Sequence, residues 1–263
     1  MESNQSHPKR RRVALVGGGA GGIGSACAAA LLAAGHRVVL AGRTESTLAA
    51  TASTLGDDVR HVVCDLADPA AAAAAVTRVH EWYGSLDVVV ANAGGPAPGR
   101  VFDVPAEQWH HDLDLLVLGP LSLLRAALPA MAERGFGRVV VISSTAVRQP
   151  QPELAASTVL RSATTSAAKL AALEYADRGV TVNCVAVGAT LTARRLEIVR
   201  SRAGAAGVDV ATAMAEDLAA IPAGRAAAPR EVAAAVAFLA SPEAGYVNGT
   251  VLTVDGGRTE CPA

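Results

Sequence analysis

Gly18, Gly22 and Gly24 follow the apolar run Val13–Val16 and precede an alanine-rich stretch, a setting suited to holding an anion. Backbone N–H groups at a helix start present the positive end of the helix dipole to a phosphate, and a Cβ on the turn would hold that phosphate off. With Ile23, the pattern reads Gly18-x-x-x-Gly22-Ile23-Gly24. A second candidate closes the next apolar run, Arg37–Ala41, where Gly42 is followed by Arg43. A dinucleotide site selective for NAD places an acid at this point to bind the ribose 2′-hydroxyl, whereas a 2′-phosphate requires a cation. The chain therefore points to NADP(H) rather than NAD(H), with Arg43 paired to the phosphate. His110 and His111 are adjacent, so on a helix they project about 100° apart, and no third ligand is spaced nearby. No metal is expected.

The elements that must position these residues alternate along the chain. Helices are expected at Ser25–Ala34, Glu45–Leu55, Ala70–Tyr83, Trp109–Met131, Glu153–Ala176 and Arg230–Ala240. Between them lie near-continuous apolar runs at Val13–Val16, Arg37–Ala41, Val59–Cys64, Leu86–Ala91 and Gly137–Ile142, the pattern of strands covered on both faces. The Ala70–Ala75 run is helix rather than low complexity, because alanine is the best helix former; Asp68 before Pro69 reads as its N-cap.

The glycine spacing resembles the cofactor loop of the short-chain dehydrogenase/reductase family, with Gly17 where that family usually has threonine. The resemblance runs from about Arg12 to Gly257. It implies that Asp65 binds the adenine amino group. It also implies that Asn92 and Gly94, in Ala91-Asn92-Ala93-Gly94, border the ribose, and that Thr192 contacts the nicotinamide carboxamide. Val185-Ala186-Val187-Gly188 is similar to the motif after the sixth strand, with Val187 replacing proline, which adds Gly188 to the cofactor set. Ser144, in Ser143-Ser144-Thr145, matches the catalytic serine. The segment 189–228 matches the substrate lid, and Thr250–Val254 a last edge strand.

The family's tyrosine and lysine, four residues apart, are missing. Tyr83, Tyr175 and Tyr246 are the three tyrosines, and none has lysine four residues on. Counting forward from Ser144 and back from Asn183 places Ser157 at the tyrosine position and Arg161 at the lysine position; Leu116 stands at the proton-relay asparagine. A rival register, Thr165 with Lys169, would need compensating shifts of two helical turns. A serine hydroxyl is a far weaker acid than a phenol, and arginine keeps its proton, although Arg161 can still hold ribose hydroxyls.

Composition bounds the rest. At 263 residues and 51% hydrophobic content, one α/β domain is expected: a doubly wound, Rossmann-like parallel sheet of about seven strands. It would span 12–257, between a flexible basic N-terminal tail (1–11), whose basic run Lys9-Arg10-Arg11-Arg12 reaches the first domain residue, and a C-terminal tail (258–263). The 23 Lys and Arg balance 24 Asp and Glu, so neither nucleic acid nor a membrane is an expected partner. Arg194, Arg195, Arg200 and Arg202 could meet an anionic substrate or carrier protein, but a solvated helix face is the expectation. Cys27, Cys64, Cys184 and Cys261 sit singly, which suits a reducing cytoplasm. The resemblance implies a homodimer or homotetramer. The expected function is an NADP(H)-dependent oxidoreductase of a small molecule with atypical proton handling, acting on a C=N or conjugated acceptor. The alternatives are a non-redox enzyme (cyclase, dehydratase or isomerase) and a catalytically silent cofactor-binding partner subunit.

Overall fold

Val13–Gly17 (β1) is buried along its whole length because a strand covered on both faces can be apolar at every position. The same logic builds β2 (Arg37–Gly42), β3 (Val59–Val63), β4 (Val88–Ala91), β5 (Gly137–Ser144), β6 (Val180–Val187) and β7 (Val251–Val254). The computed structural model describes residues 10–261. All seven strands are parallel, in the order β3-β2-β1-β4-β5-β6-β7. The order reverses between β1 and β4, which opens a crevice at their carboxyl ends.

Helices cover both faces. On one, α1 (Gly22–Ala33), α2 (Glu45–Leu55) and α9 (Pro229–Ala240) enclose a core that includes Leu31, Leu40, Val90, Val185 and Val236. On the other, α3 (Pro69–Tyr83), α5 (Gly119–Glu133) and α6 (Ala155–Tyr175) close over Leu15, Val89, Leu123, Val139 and Val182. The alanine run lies in α3, capped by the Asp68 carboxylate accepting from the Ala70 N–H and ended by Gly84 in the left-handed region.

The helix expected at Trp109–Met131 differs in detail. Helix α4 (Ala106–Leu113) passes through a π-turn (Asp114–Leu118) into α5. Pro120 has no N–H to return to the Leu116 carbonyl, and the Thr164 hydroxyl of α6 donates to that oxygen instead. The turn also presses the chain against the loop after β3, where a Cβ on Gly119 would lie 1.7 Å from the Leu66 carbonyl oxygen. The segment Ala106–Glu133 is long and apolar enough to cross a membrane, with mean hydropathy 1.7, yet its inner face packs on α3 and α6.

Between β6 and α9, α7 (Ala193–Ala206) and α8 (Val210–Ala219), in the segment expected to be the lid, pack on each other. Neither tail is free where it is described. Arg10 pairs with Asp87 at 2.9 Å, Arg11 with Asp58 at 2.8 Å, and the Arg12 guanidinium lies over the Phe136 ring. Arg10 and Arg11, the described part of the expected basic tail, thus meet carboxylates distant in sequence; residues 1–9 lie outside the described residues. At the other end Arg258 pairs with Asp217, and the Glu260 N–H donates to Gln149.

Candidate active site

A cleft of about 710 Å³ runs along the carboxyl ends of the strands under the lid. Its first wall is the glycine turn. Gly18 has φ +56°, and a Cβ there would lie 2.7 Å from the Asn92 amide nitrogen. On Gly24 it would lie 2.0 Å from the Gly18 carbonyl oxygen, and on Gly22 3.0 Å from the Thr192 methyl. The N-cap of α1 is Gly21, with no side-chain capping bond, so the first-turn N–H groups of the helix are left to a ligand. On Gly17, where the family usually has threonine, a Cβ would approach the Asn92 carbonyl oxygen to 2.8 Å. Asn92 donates from Nδ2 to the Gly17 carbonyl at 3.0 Å, tying β4 to β1.

Around this turn the cleft is lined by Gly18, Gly22, Ile23, Arg43, Asp65, Asn92, Gly94, Gly188 and Thr192. Arg43 is exposed at the end of β2, and Asp65 accepts from the Ala67 N–H at 3.0 Å. Thr192 caps α7 by accepting from the Arg195 N–H at 3.3 Å. A dipole-assisted cradle open to the cleft, with a free cation beside it and no acid at the end of β2, fits a dinucleotide carrying a 2′-phosphate.

Ser144, Ser157 and Arg161 line the same cleft. Ser144 Oγ accepts from the Ala146 N–H at 3.2 Å, which leaves its own O–H to point elsewhere. Ser157 lies in the first turn of α6 and is buried. Arg161 is tied to backbone carbonyls. Its Nη1 donates to the Ile142 carbonyl at 2.7 Å and its Nη2 to the Gly94 carbonyl at 3.2 Å. The guanidinium thus stitches β5 to the loop after β4 while lining the cleft, with N–H donors to spare. Burial, helped by the charge of Arg194, lowers its pKa to about 10, so it stays charged at neutral pH.

Leu116 packs with Trp109, Ala156 and Leu160 and relays nothing. The rival pair points elsewhere: Thr165 bonds Ser143 at 3.1 Å, and the Lys169 ammonium lies beside Gly249.

The arginines of the lid are not a solvated face. Arg195, Arg202 and Arg258 converge on Asp217 at 2.6, 2.8 and 2.9 Å, and Arg194 donates to the Pro96 carbonyl. Arg200 alone of the four predicted lid arginines is exposed. Burial pushes the Asp217 carboxyl up, but the hydrogen bond from Arg258 and the three positive charges outweigh it and hold the pKa below the usual value. The seven-residue spacing of Arg195 and Arg202 puts both on one helix face and was a readable signal. Asp217, Arg258, Gln151 and His111, which also line the cleft, carried none.

The family model described as enoyl-(acyl carrier protein) reductase matches residues 18–259. The Escherichia coli 3-oxoacyl-[acyl-carrier-protein] reductase FabG is 30% identical over 251 residues, covering 94% of this chain and 96% of that protein. Among solved structures, an actinorhodin polyketide ketoreductase variant with NADPH is similar at TM-score 0.92 and 32% identity, covering 95% of this chain and 98% of that one. The L-sorbose reductase from Gluconobacter frateurii, complexed with NADPH and L-sorbose, has TM-score 0.89 and 29% identity, covering 96% and 98%.

Proposed function

The chain belongs to the short-chain dehydrogenase/reductase family, and on that premise we propose that it is an NADP(H)-dependent reductase of a small organic acceptor whose proton supply departs from the family's. The cofactor is NADP(H): the glycine turn and the α1 N-terminus take its diphosphate, Arg43 the 2′-phosphate, and Asp65, Asn92, Gly94, Gly188 and Thr192 the rest. When bound, it supplies or accepts a hydride.

What supports this reading is that Ser157 and Arg161, which stand at the family's tyrosine and lysine positions by the sequence register, both line the cleft. Reducing a plain ketone leaves an alkoxide that needs a proton as hydride arrives, and a positioned acid contributes roughly a hundred- to ten-thousandfold to that step. Serine is too weak an acid for it, and Arg161 holds its proton. An iminium carbon becomes a neutral amine on accepting hydride and needs no proton. A conjugated acceptor becomes an enolate that water protonates afterwards. Ser144 then only positions the acceptor by a hydrogen bond, and Arg161 holds the strand ends that frame it.

The test follows NADPH consumption with a cyclic iminium and an α,β-unsaturated ketone against a saturated ketone of the same size. Turnover of the activated acceptors at least about a hundredfold faster is expected. Efficient reduction of the plain ketone, abolished by Ser157→Ala, would overturn the reading and give Ser157 the proton; the same loss in His111→Gln would give it to the imidazole lining the cleft. NADPH binding without any reduction favours the non-redox enzyme or the silent subunit.

The chain works as a homodimer or homotetramer, supported by the apolar side chains that α6 leaves exposed. A cytoplasmic setting suits the free, exposed Cys261.

A further inference from the structure

Under the lid, one carboxylate faces three guanidinium groups. Arg195 and Arg202 come from α7, Asp217 from α8 and Arg258 from the chain beyond β7, and all four line the cleft. Three positive charges against one negative leave two uncompensated in a site where the Asp217 and Arg195 side chains are only 6% and 8% exposed. Among the described residues, the other carboxylates lining the cleft are engaged elsewhere: Asp65 with the Ala67 N–H and Asp112 with Gln108. Arg202 also donates to Gln151 at 3.4 Å, a neutral acceptor that leaves the charge unchanged.

A second observation points the same way. Arg195 Nε is buried and has no acceptor. Buried donors in folded proteins are nearly always paired, and an orphaned one raises the free energy until a partner arrives. Asp217 holds the three planar forks together, and its carboxylate shows that their geometry already suits a two-oxygen anion.

We propose that Arg195, Arg202 and Arg258 form a subsite for an oxyanion on the substrate, a carboxylate or a phosphate, so that the enzyme takes an anionic acceptor. The inference rests on the reductase reading for the word substrate, but the subsite stands or falls on binding alone. The cofactor's own phosphates have the glycine turn and Arg43, so they do not require this cluster.

The experiment titrates NADPH-saturated full-length protein calorimetrically with acetoacetate, its uncharged amide acetoacetamide, and inorganic phosphate. At least one anion is expected to bind about tenfold or more tightly than the amide, the scale of a charge-assisted hydrogen bond. That advantage should fall to about threefold or less in Arg202→Gln and Arg258→Gln, with NADPH affinity unchanged. Arg258 is 25% exposed and lies outside the helices, so its variant keeps the test meaningful if Arg195→Gln fails to fold. Acetoacetate binding alone identifies a carboxylate, phosphate binding alone a phosphate group, and binding of both a site open to either. Equal binding of acetoacetate and the amide with no phosphate binding overturns the proposal. So does a parallel tenfold loss of NADPH affinity in the arginine variants, which would hand the cluster to the cofactor. Anion binding without NADPH consumption by any acceptor would overturn the reductase reading and leave the subsite intact.

Discussion

Arg43 and Ser144 carry predictions of different kinds, one about selecting a ligand and one about placing it. Arg43 is exposed at the end of β2, with no acid at that strand end, so the 2′-phosphate has an attractive partner and a 2′-hydroxyl lacks its usual one. Titration of each cofactor should show NADPH bound about tenfold or more tightly than NADH, and Arg43→Asp should reverse or abolish the preference. Equal affinities in the unmodified protein would remove Arg43 from this role. At the reacting end, Ser144→Ala should lower kcat/KM for an activated acceptor by roughly tenfold, the scale of one positioning hydrogen bond. Ser157→Ala should change it by less than about threefold, because the reading gives Ser157 no proton to move.

At the scale of elements, two contacts decide whether the cleft keeps its shape. A Cβ on Gly119 would fall 1.7 Å from the Leu66 carbonyl oxygen, backbone that cannot yield without moving the loop bearing Asp65. Gly119→Ala should therefore lower Tm, with a loss of roughly 1–3 kcal/mol, and weaken NADPH binding alongside. The lid is held differently, by charge. Asp217 has a pKa below its unfolded value, so its stabilising contribution is complete above about pH 4 and is lost as pH falls through the folded value. Thermal melts between pH 6 and pH 3 should show an acid-dependent loss that is blunted in Asp217→Asn. That variant should already be weaker at neutral pH, since three arginines lose their shared partner.

For the whole molecule, the open question is what covers α6. Val159, Leu170 and Leu173 are at least half exposed and lie along one stripe of that helix, with Leu113 and Leu118 exposed on the neighbouring α4 and π-turn. A monomer would leave this apolar face in water, and a second copy is the occupant we propose. Light scattering should give a dimer or tetramer for the unmodified protein, and Leu170→Glu with Leu173→Glu should give a monomer that still binds NADPH. A monomer at micromolar concentration before mutation would refute the assembly.

The local patterns in the chain were sufficient for most of its architecture. Helix Glu45–Leu55, the Asp68 cap and the parallel strands follow from periodicity, capping chemistry and two-sided burial, all of which act over a few residues. The glycine turn was legible from composition and spacing, and the missing tyrosine–lysine pair from the resemblance that called for it. What the sequence could not contain was the use each arginine found. Arg161 bonds carbonyls of β5 and of the loop after β4, and Arg195 and Arg202, read as a solvated face, meet a carboxylate from the next helix that Arg258, beyond β7, also binds. The π-turn likewise needed both Pro120 and a hydroxyl 44 residues further along, at Thr164. A long side chain pairs with whatever the folded backbone brings within reach, so its partner is decided by contacts distant in sequence, and only the tertiary structure holds them.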